Sequence, residues 1–428
     1  MKRPKRIRKQ NNLFNTRKLR RDDEIERNEN ETTTNTMNVL IVNAGSSSLK
    51  FKLFHKDTLK SISSGIIEEI GGSSSTVSYK LHESDDERNG LETKTKVESH
   101  KDAFDIVMDL LTKGKIEKEN VKPVISSGKD LLGVGHRVVH GGWEFKEGAI
   151  VDEEVIKKIE QVSNLAPLHN RANLKGIQEA KEAFDGVPQV AVFDTCYHQT
   201  LPPHAYMYAI PWNIYEEKKV RKYGFHGTSH FYLAKKAAEL VGKELKECNF
   251  ITLHLGNGAS ACAIRNGESI DTSMGLTPAE GLMMGTRAGD MDPTATFHMT
   301  EGTFDADKIE NMLNKESGFK GICGKSDVRE IQKMAEKGGE EGERAKLALD
   351  MFCYRIEKTV GSYYIVLNGR IDGVIFGGGI GEHAVQLRER IVTSLGCLGL
   401  TLDEKKNEEK TRERREESES WSSPRTKN

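Results

Sequence analysis

The sequence predicts an α/β protein of two lobes with a central cleft, and three observations carry that expectation. At 428 residues the chain exceeds what one hydrophobic core usually supports. Short β-branched runs alternate with amphipathic helical stretches, the pattern of α/β architecture. The same strand-turn-strand device occurs twice, over Asn38 to Phe54 and over Phe250 to Ile264.

From the N-terminus, residues 1–36 run from a basic stretch between Lys2 and Arg21 into an acidic, Thr/Asn-rich one with few apolar side chains to bury. This arm reads as a disordered extension, or as translation begun upstream of Met37, ahead of a nucleic-acid-binding tail. At the far end, residues 402–428 form a mixed-charge run with no apolar face, expected to be disordered. Lys+Arg (64) and Asp+Glu (65) nearly cancel, which argues against a surface built to grip nucleic acid or an anionic membrane. The six cysteines show no Cys-x-x-Cys pair, so reduced thiols in a cytoplasmic protein are expected. No apolar run reaches the length of a membrane span.

Between the tails, the first repeated device reads as strand, turn (Asn43 to Ser48) and alternating strand (Leu49, Phe51, Leu53). The second turns at Gly256 to Ser260. Turns of Gly, Ser and Asn leave backbone amides uncovered, so an anion can come close. A third strand, Gly373 to Phe376, runs into Gly377, Gly378, Gly379, Ile380, Gly381 and Glu382, where backbone can lie against a nucleotide. Any one of these turns alone is more often just a hairpin. Three in one chain point to a polyphosphate.

Phosphoryl transfer needs cations around the moving group, a metal and in-line positioning. Compact segments supply the charges: Gly135-His-Arg-Val-Val-His-Gly-Gly142, Val192-Phe-Asp-Thr195, Tyr223-Gly-Phe-His-Gly-Thr-Ser-His230 and Met284-Gly-Thr-Arg-Ala-Gly-Asp290.

With VNAGSSSLKF, GHRVVHGG, APLH, VFDT, RKYGFHGTSH, HLGNGAS, GLMMGTRAGDMDP and GGGIGE in that order between Met37 and about Leu400, the chain resembles the acetate kinases, of the acetate and sugar kinase, Hsp70 and actin superfamily. The resemblance implies a duplicated ribonuclease H-like (actin/Hsp70-type) fold, each domain of βββαβαβα type, with ATP and Mg²⁺ (or Mn²⁺) in the cleft and a homodimer held largely by the second domain. It implies a first kinase domain at 37–196, to which 384–401 returns, and a second at 197–383. The family's final strand and helix have no counterpart in the charged tail.

By the same resemblance, Arg137, Asp194, His226 and Arg287 are the catalytic set, and Asn43 with Arg137 meets the phosphoryl and the acceptor carboxylate. Val139, Leu168, Phe225 and Pro278 would line a small acyl pocket, with His169 at the acyl group. Ser46, Ser48 and Lys50 belong to the first phosphate hairpin, and His254, Leu255, Gly256, Asn257 and Gly258 to the second. Asp327, Val328 and Arg329, with Gly377 to Gly381, resemble the adenosine-binding elements. Asp194, Glu382 and Asn43 are the metal candidates.

Alternatives stand beside these roles. The lesser reading of Arg137 is a salt bridge orienting its hairpin; Asp194 could instead orient one of the arginines, and His169 could be a buried structural histidine. His136, His140 and His230 read as packing or hydrogen-bonded supports. The activity implied is reversible transfer of the ATP γ-phosphoryl to acetate, giving acetyl phosphate and ADP. Direct in-line transfer is favoured over a phosphohistidine, because a carboxylate is already ionised near neutral pH. A propionate or short-chain acyl kinase and a non-catalytic nucleotide-binding protein of the same superfold are the alternatives.

Overall fold

The fold is a computed structural model that describes residues 37–82, 90–117, 119–300 and 305–408. The N-terminal arm and the tail beyond residue 408 lie outside the described residues.

The first sheet begins as an antiparallel meander: β1 (Asn38–Ala44), β2 (Ser48–His55), β3 (Ser61–Glu68), β4 (Ser75–Leu81) and β5 (Gly90–Thr95). Alternation sets its two faces. Leu40, Val42, Leu49, Phe51 and Leu53 are buried, while Asn43 pairs with Lys50 on the opposite face. Helix α1 (His100–Thr112), started by a Ser99–Asp102 capping box, covers the buried face with Phe104, Val107 and Leu111. After a small ribbon, β6 (Lys115–Ile116) with β7 (Glu119–Asn120), strand β8 (Leu131–Val138) joins parallel to β1. Then come β9 (Ala149–Ile150), α2 (Glu153–Val162), α3 (Pro167–Ala183) and β10 (Gln189–Phe193), the last parallel to β8. The sheet order is β5-β4-β3-β2-β1-β8-β10-β9.

Helices α4 (Pro203–Tyr206), α5 (Trp212–Lys218) and α6 (Gly227–Val241) lead into a second sheet of β11 (Asn249–Leu255), β12 (Ala259–Arg265) and β13 (Glu268–Thr272). Beyond a long loop follow α7 (Ala295–Met299), α8 (Ala306–Asn311), α9 (Gly318–Cys323), α10 (Val328–Lys337) and α11 (Gly339–Val366), then β14 (Gly373–Gly377), α12 (Gly378–His383) and α13 (Val385–Ser394). The order here is β13-β12-β11-β14, with β14 parallel to β11. The two sheets share a core plan, three antiparallel strands (β1-β2-β3 and β11-β12-β13) with a parallel strand beside the first (β8 and β14). The first sheet extends this plan with β4 and β5 on one side and β10 and β9 on the other; among the described residues the second stops at β14.

The C-terminal segment corrects one expectation. Residues 384–401 do not return to the first sheet: Leu387, Ile391 and Leu395 pack into the second lobe's core with Leu349, Phe352 and Ile356 of α11. Three apolar side chains at helical spacing form one face, and that face joins the core that α11, earlier in the chain, already lines. Nor is the start of the tail unattached. Residues 404–408 are helical, and Arg388 donates to Asn407 Oδ1 (2.7 Å) and to its carbonyl (3.0 Å). All six cysteines are unpaired, and among the described residues no helix is long and apolar enough to cross a membrane.

Ile391 is fully buried. Ile391→Ala is therefore expected to cost about 2–4 kcal/mol in urea unfolding; a loss below about 0.5 kcal/mol would remove α13 from the core.

Candidate active site

Parallel strands β1, β8 and β10 run side by side and end together, and each delivers a polar residue at that edge. Val42 registers with His136 and Val192 with Arg137, so Asn43, Arg137 and Asp194 lie at or just past the strand ends. Ligands of open α/β sheets bind at such C-terminal ends. The Arg137 guanidinium grips Asp194 bidentately, Nε to Oδ1 at 3.0 Å and Nη2 to Oδ2 at 2.6 Å. Asp194 is 2% exposed, and its backbone N–H bonds to the Val138 carbonyl.

Two asparagines of α3, absent from the sequence-based set, hold the outgoing strand. Asn173 accepts from Val139 N–H (3.0 Å) and donates to the Ala44 carbonyl (2.7 Å), while Asn170 bonds both backbone groups of His140. The side-chain amide suits this because it donates and accepts at once. The segment after APLH carried the only signal for them.

From the other side, the GFHGTSH segment crosses to meet Asp194. Gly227 N–H donates to the Asp194 carbonyl (2.8 Å), and a Cβ on Gly227 would stand 2.3 Å from that oxygen. Only glycine permits this seam. His226, immediately before, holds φ 56° at the start of α6, a left-handed conformation rare outside glycine and asparagine. The His226 and His254 rings lie 4.2 Å apart between centroids.

Arg287 sits on the long loop, its backbone clasped by Gly318, where a Cβ would come within 2.7 Å of the Arg287 carbonyl. Its Nη1 reaches the Pro278 carbonyl at 3.3 Å. A Cβ on Gly258 would meet Arg287 Nη1 and His226 Nε2, each at 3.4 Å. The hollow left by that missing side chain is thus walled by a guanidinium and an imidazole nitrogen, a cradle suited to a phosphoryl oxygen.

The charges feel one another across the seam. The Asp194 carboxylate raises Arg137, while burial and then the Arg137 charge lower Arg287. Burial also lowers His226 well below its ordinary value, reinforced by His254, Arg137 and Arg287. His169 is lowered by burial, Arg287 and Arg137; His254 by burial and Arg137, with Asp194 and Glu382 acting in the opposite sense. Arg137, Asp194, His169, His226, His254, Arg287 and Glu382 are therefore brought together.

Other expected residues take varied places. Phe225 and Val139 are buried in one cluster, with Pro278 half-buried. The side chain of Leu168 lies outside the described residues. His169 keeps an exposed surface although the groups packed around its ring displace enough water to lower its pKa, so it is not a fully buried structural histidine. Ser46 and Lys50 are exposed and Ser48 half-buried; Gly45 N–H closes the hairpin on the Ser48 carbonyl at 2.8 Å. Leu255 is buried in the core, and the Asn257 amide oxygen lies 1.9 Å from where a Gly285 Cβ would stand, tying the second hairpin to the Arg287 loop. Asp327 caps α10 and pairs with the exposed Arg329, while Val328 belongs to the core. Gly377 and Gly378 make room for Leu233 and the Leu255 carbonyl respectively, Gly379 faces open space, and Ile380 packs against the core. A surface cleft of about 740 Å³ joins Arg329 to His383, Ala384 and Val385, just past the glycine run. Among the described residues no cluster of three or more His, Cys, Asp and Glu could cage a metal. A divalent ion here would complete its shell with water and phosphate oxygens.

The sequence model of the Acetokinase family matches residues 38–423. The chain belongs to the acetokinase family. That match runs into the charged tail and ends at residue 423. Among acetokinase relatives, the acetate kinase of Campylobacter concisus is 48% identical over 374 residues, 87% of this chain and 89% of the relative. That of Acetivibrio thermocellus is 46% identical over 88% of this chain and 92% of its own. In three dimensions the fold is similar to the Porphyromonas gingivalis acetate kinase (TM-score 0.79, 39% identity, 87% of this chain and 90% of that one). It is equally similar to a propionate kinase from Francisella tularensis (TM-score 0.79, 39% identity, 87% and 91%).

Burial lowers His136, His140 and His198 from 6.5 to about 4 each. The folded state refuses a proton that the unfolded state takes up, so this stability is present above about 6.5 and is lost as pH falls toward about 4. Urea unfolding is expected to weaken across that window by up to ~1.4 kcal/mol per pH unit for each histidine. A flat profile between these limits would contradict their neutral burial.

Proposed function

We propose that this chain is an acetate kinase, transferring the γ-phosphoryl of ATP reversibly to acetate to give acetyl phosphate and ADP. The observation that carries the proposal is the convergence of Arg287 Nη1 and His226 Nε2 on the Gly258 hollow, with Arg137 across the seam. A nucleotide binder needs the hairpins but has no use for two like-charged guanidiniums held close, which repel unless an anion lies between them.

In the proposed reaction an acetate oxygen attacks the γ-phosphorus as the bond to the bridging oxygen of ADP breaks, and ADP leaves with the electron pair. No proton need move. Arg137, with Nε and Nη2 on Asp194, turns its Nη1 edge toward the acceptor and the phosphoryl; Arg287 and His226 meet the equatorial oxygens from the other lobe. Donors set in advance cost no reorganisation when charge develops. Val139, Phe225 and Pro278 would shelter the methyl group. His254 and the two hairpins would take the remaining phosphates, and the cleft beside Arg329 the adenosine.

Asp194, Glu382 and Asn43 offer the oxygen donors that Mg²⁺ prefers, and each Asp194 oxygen keeps a lone pair beyond its bond to Arg137. When bound with ATP, the ion supplies neutralisation of the β- and γ-phosphate charge. The proposal includes lobes at 37–196 and 197–383, a cytoplasmic setting in which the six unpaired cysteines stay reduced, and a homodimer joined through the second lobe. The exposed Leu347, Tyr354 and Ile365 of α11 support that last element.

A second reading, a propionate kinase, is favoured by the likeness to the Francisella protein. Val139 speaks for acetate, since it narrows the acyl pocket.

A hydroxamate assay with ATP, Mg²⁺ and acetate on the full chain tests the reaction, and a folded, ATP-binding protein that forms no acyl phosphate from any short carboxylate would refute it. Arg137→Ala and Arg287→Ala should each lower kcat by ~10²-fold or more; near wild-type turnover in either is the contrary result. Val139→Ala should move the kcat/KM ratio toward propionate by roughly 10-fold, and an unmoved ratio would place the acyl group elsewhere.

A further inference from the structure

Behind His226 lies a run of buried polar side chains that the proposed reaction does not use. His226 Nδ1 is 2.8 Å from Ser260 Oγ, Ser260 Oγ is 2.9 Å from His230 Nε2, and His230 Nδ1 is 2.8 Å from Thr252 Oγ1. Ser260, His230 and Thr252 are all fully buried. The placement follows from two periodicities. His226 and His230 are four residues apart at the start of α6, so they share a helix face. Thr252 and His254 alternate on β11, and Ser260 sits directly opposite His254 on β12, so these three share the sheet face beneath α6.

We infer that Thr252, His230 and Ser260 form a one-way hydrogen-bond relay that holds His226 in the tautomer whose Nε2 carries the proton, making them positioning residues for the phosphoryl donor. Each hydroxyl has one proton and two lone pairs and each neutral imidazole one N–H, so two polarities use the run in a single direction, and a third, in which Ser260 accepts from both rings, strands the Ser260 hydroxyl proton in the core. In one of the single-direction polarities, Thr252 donates to His230 Nδ1, His230 Nε2–H to Ser260, and Ser260 to His226 Nδ1, leaving an N–H on Nε2 that faces the Gly258 hollow. In the other, every bond is reversed, and Nε2 presents a lone pair to the incoming phosphate.

The surroundings select the first. Among the described residues, Thr252 Oγ1 has His230 as its one side-chain partner. Reversal would strand a hydroxyl proton in the core, whereas the forward direction leaves only spare lone pairs, the lesser cost. Burial lowers both His226 and His230 well below their ordinary values, so a doubly protonated ring does not blur the choice. Nearby, His198 shows the same logic with no ambiguity. Its Nε2 lies 3.0 Å from the Phe225 carbonyl, which only accepts, so Nδ1 must accept from Ser269 Oγ at 2.8 Å.

This inference deepens the phosphotransferase proposal and rests on it for its catalytic meaning, but the tautomer itself does not. Long-range ¹H–¹⁵N NMR of the histidine rings in the full chain, with the His226 signals identified by their loss in His226→Gln, should show a protonated Nε2 and a bare Nδ1. Protonation at Nδ1, or an even mixture of tautomers, overturns the relay whether or not the enzyme acts on acetate. In kinetics, Ser260→Ala should lower kcat by ~10- to 100-fold with the KM values for acetate and ATP changed less than ~3-fold. Thr252→Val, isosteric and one step further from the ring, should show a smaller loss of the same kind. A folded Ser260→Ala protein with kcat within about 2-fold of wild type sinks the inference; if that variant does not fold, the wild-type ring spectrum still decides. A chain with the predicted tautomer and no acyl phosphate formation would instead refute the proposed reaction and leave the relay standing.

Discussion

The site depends on holding Arg137 and Arg287 near enough for the charge of one to lower the pKa of the other. Two guanidiniums at such range repel, and burial strengthens the repulsion because less water screens them. Asp194 meets that cost on one side. Its carboxylate, almost wholly buried, takes both Nε and Nη2 of Arg137, while its backbone is tied to Val138 in one lobe and Gly227 in the other. One residue thus fixes the orientation of an arginine and the distance between two sheets. Among the described residues the Arg287 guanidinium meets no carboxylate; it bonds the Pro278 carbonyl and the Met284 sulfur. In the proposed reaction a phosphate supplies the missing charge.

The rest of the fold serves that spacing. The end-on alignment of β1, β8 and β10 delivers Asn43, Arg137 and Asp194 to one edge. The repeated plan of the second sheet brings His254 and Ser260 to the corresponding edge of β11 and β12. Glycines make the close approaches: Gly227 against the Asp194 carbonyl, and Gly258 beside His226 and Arg287. The left-handed backbone at His226 is local strain kept where it aims a side chain, and α6 beyond it anchors the ring through His230.

Much was legible because it is written locally. The turns of Asn43 to Ser48 and Gly256 to Ser260, the strand alternation around them and the glycine-flanked charged segments are short-range patterns. The motif order, through the family resemblance, groups Arg137, Asp194, His226 and Arg287, and the fold brings them to one seam. The assignment of 384–401 to the first lobe failed because an amphipathic helix announces that it has an apolar face, not which core receives it; here it is the core that α11 lines. Asn257 reads as a phosphate-loop residue from its neighbours, but Gly285 leaves a gap that its amide fills. Asn170, Asn173 and Thr252 carried little signal because their hydrogen-bond partners are 30 to 129 residues or 22 residues away.

The sequence by itself determined the elements and the chemistry: a duplicated α/β plan, anion-binding turns, and the set of arginines, histidines and carboxylates suited to phosphoryl transfer. These follow from propensity, alternation and residue type, which act over a few positions. Only the tertiary structure decided which groups meet: the Arg137–Asp194 fork, the Gly258 hollow, and the direction in which a proton points along Thr252, His230, Ser260 and His226. Such contacts join segments distant in the chain, and their geometry is set by how two sheets and one helix pack, a global property that no short stretch of residues contains.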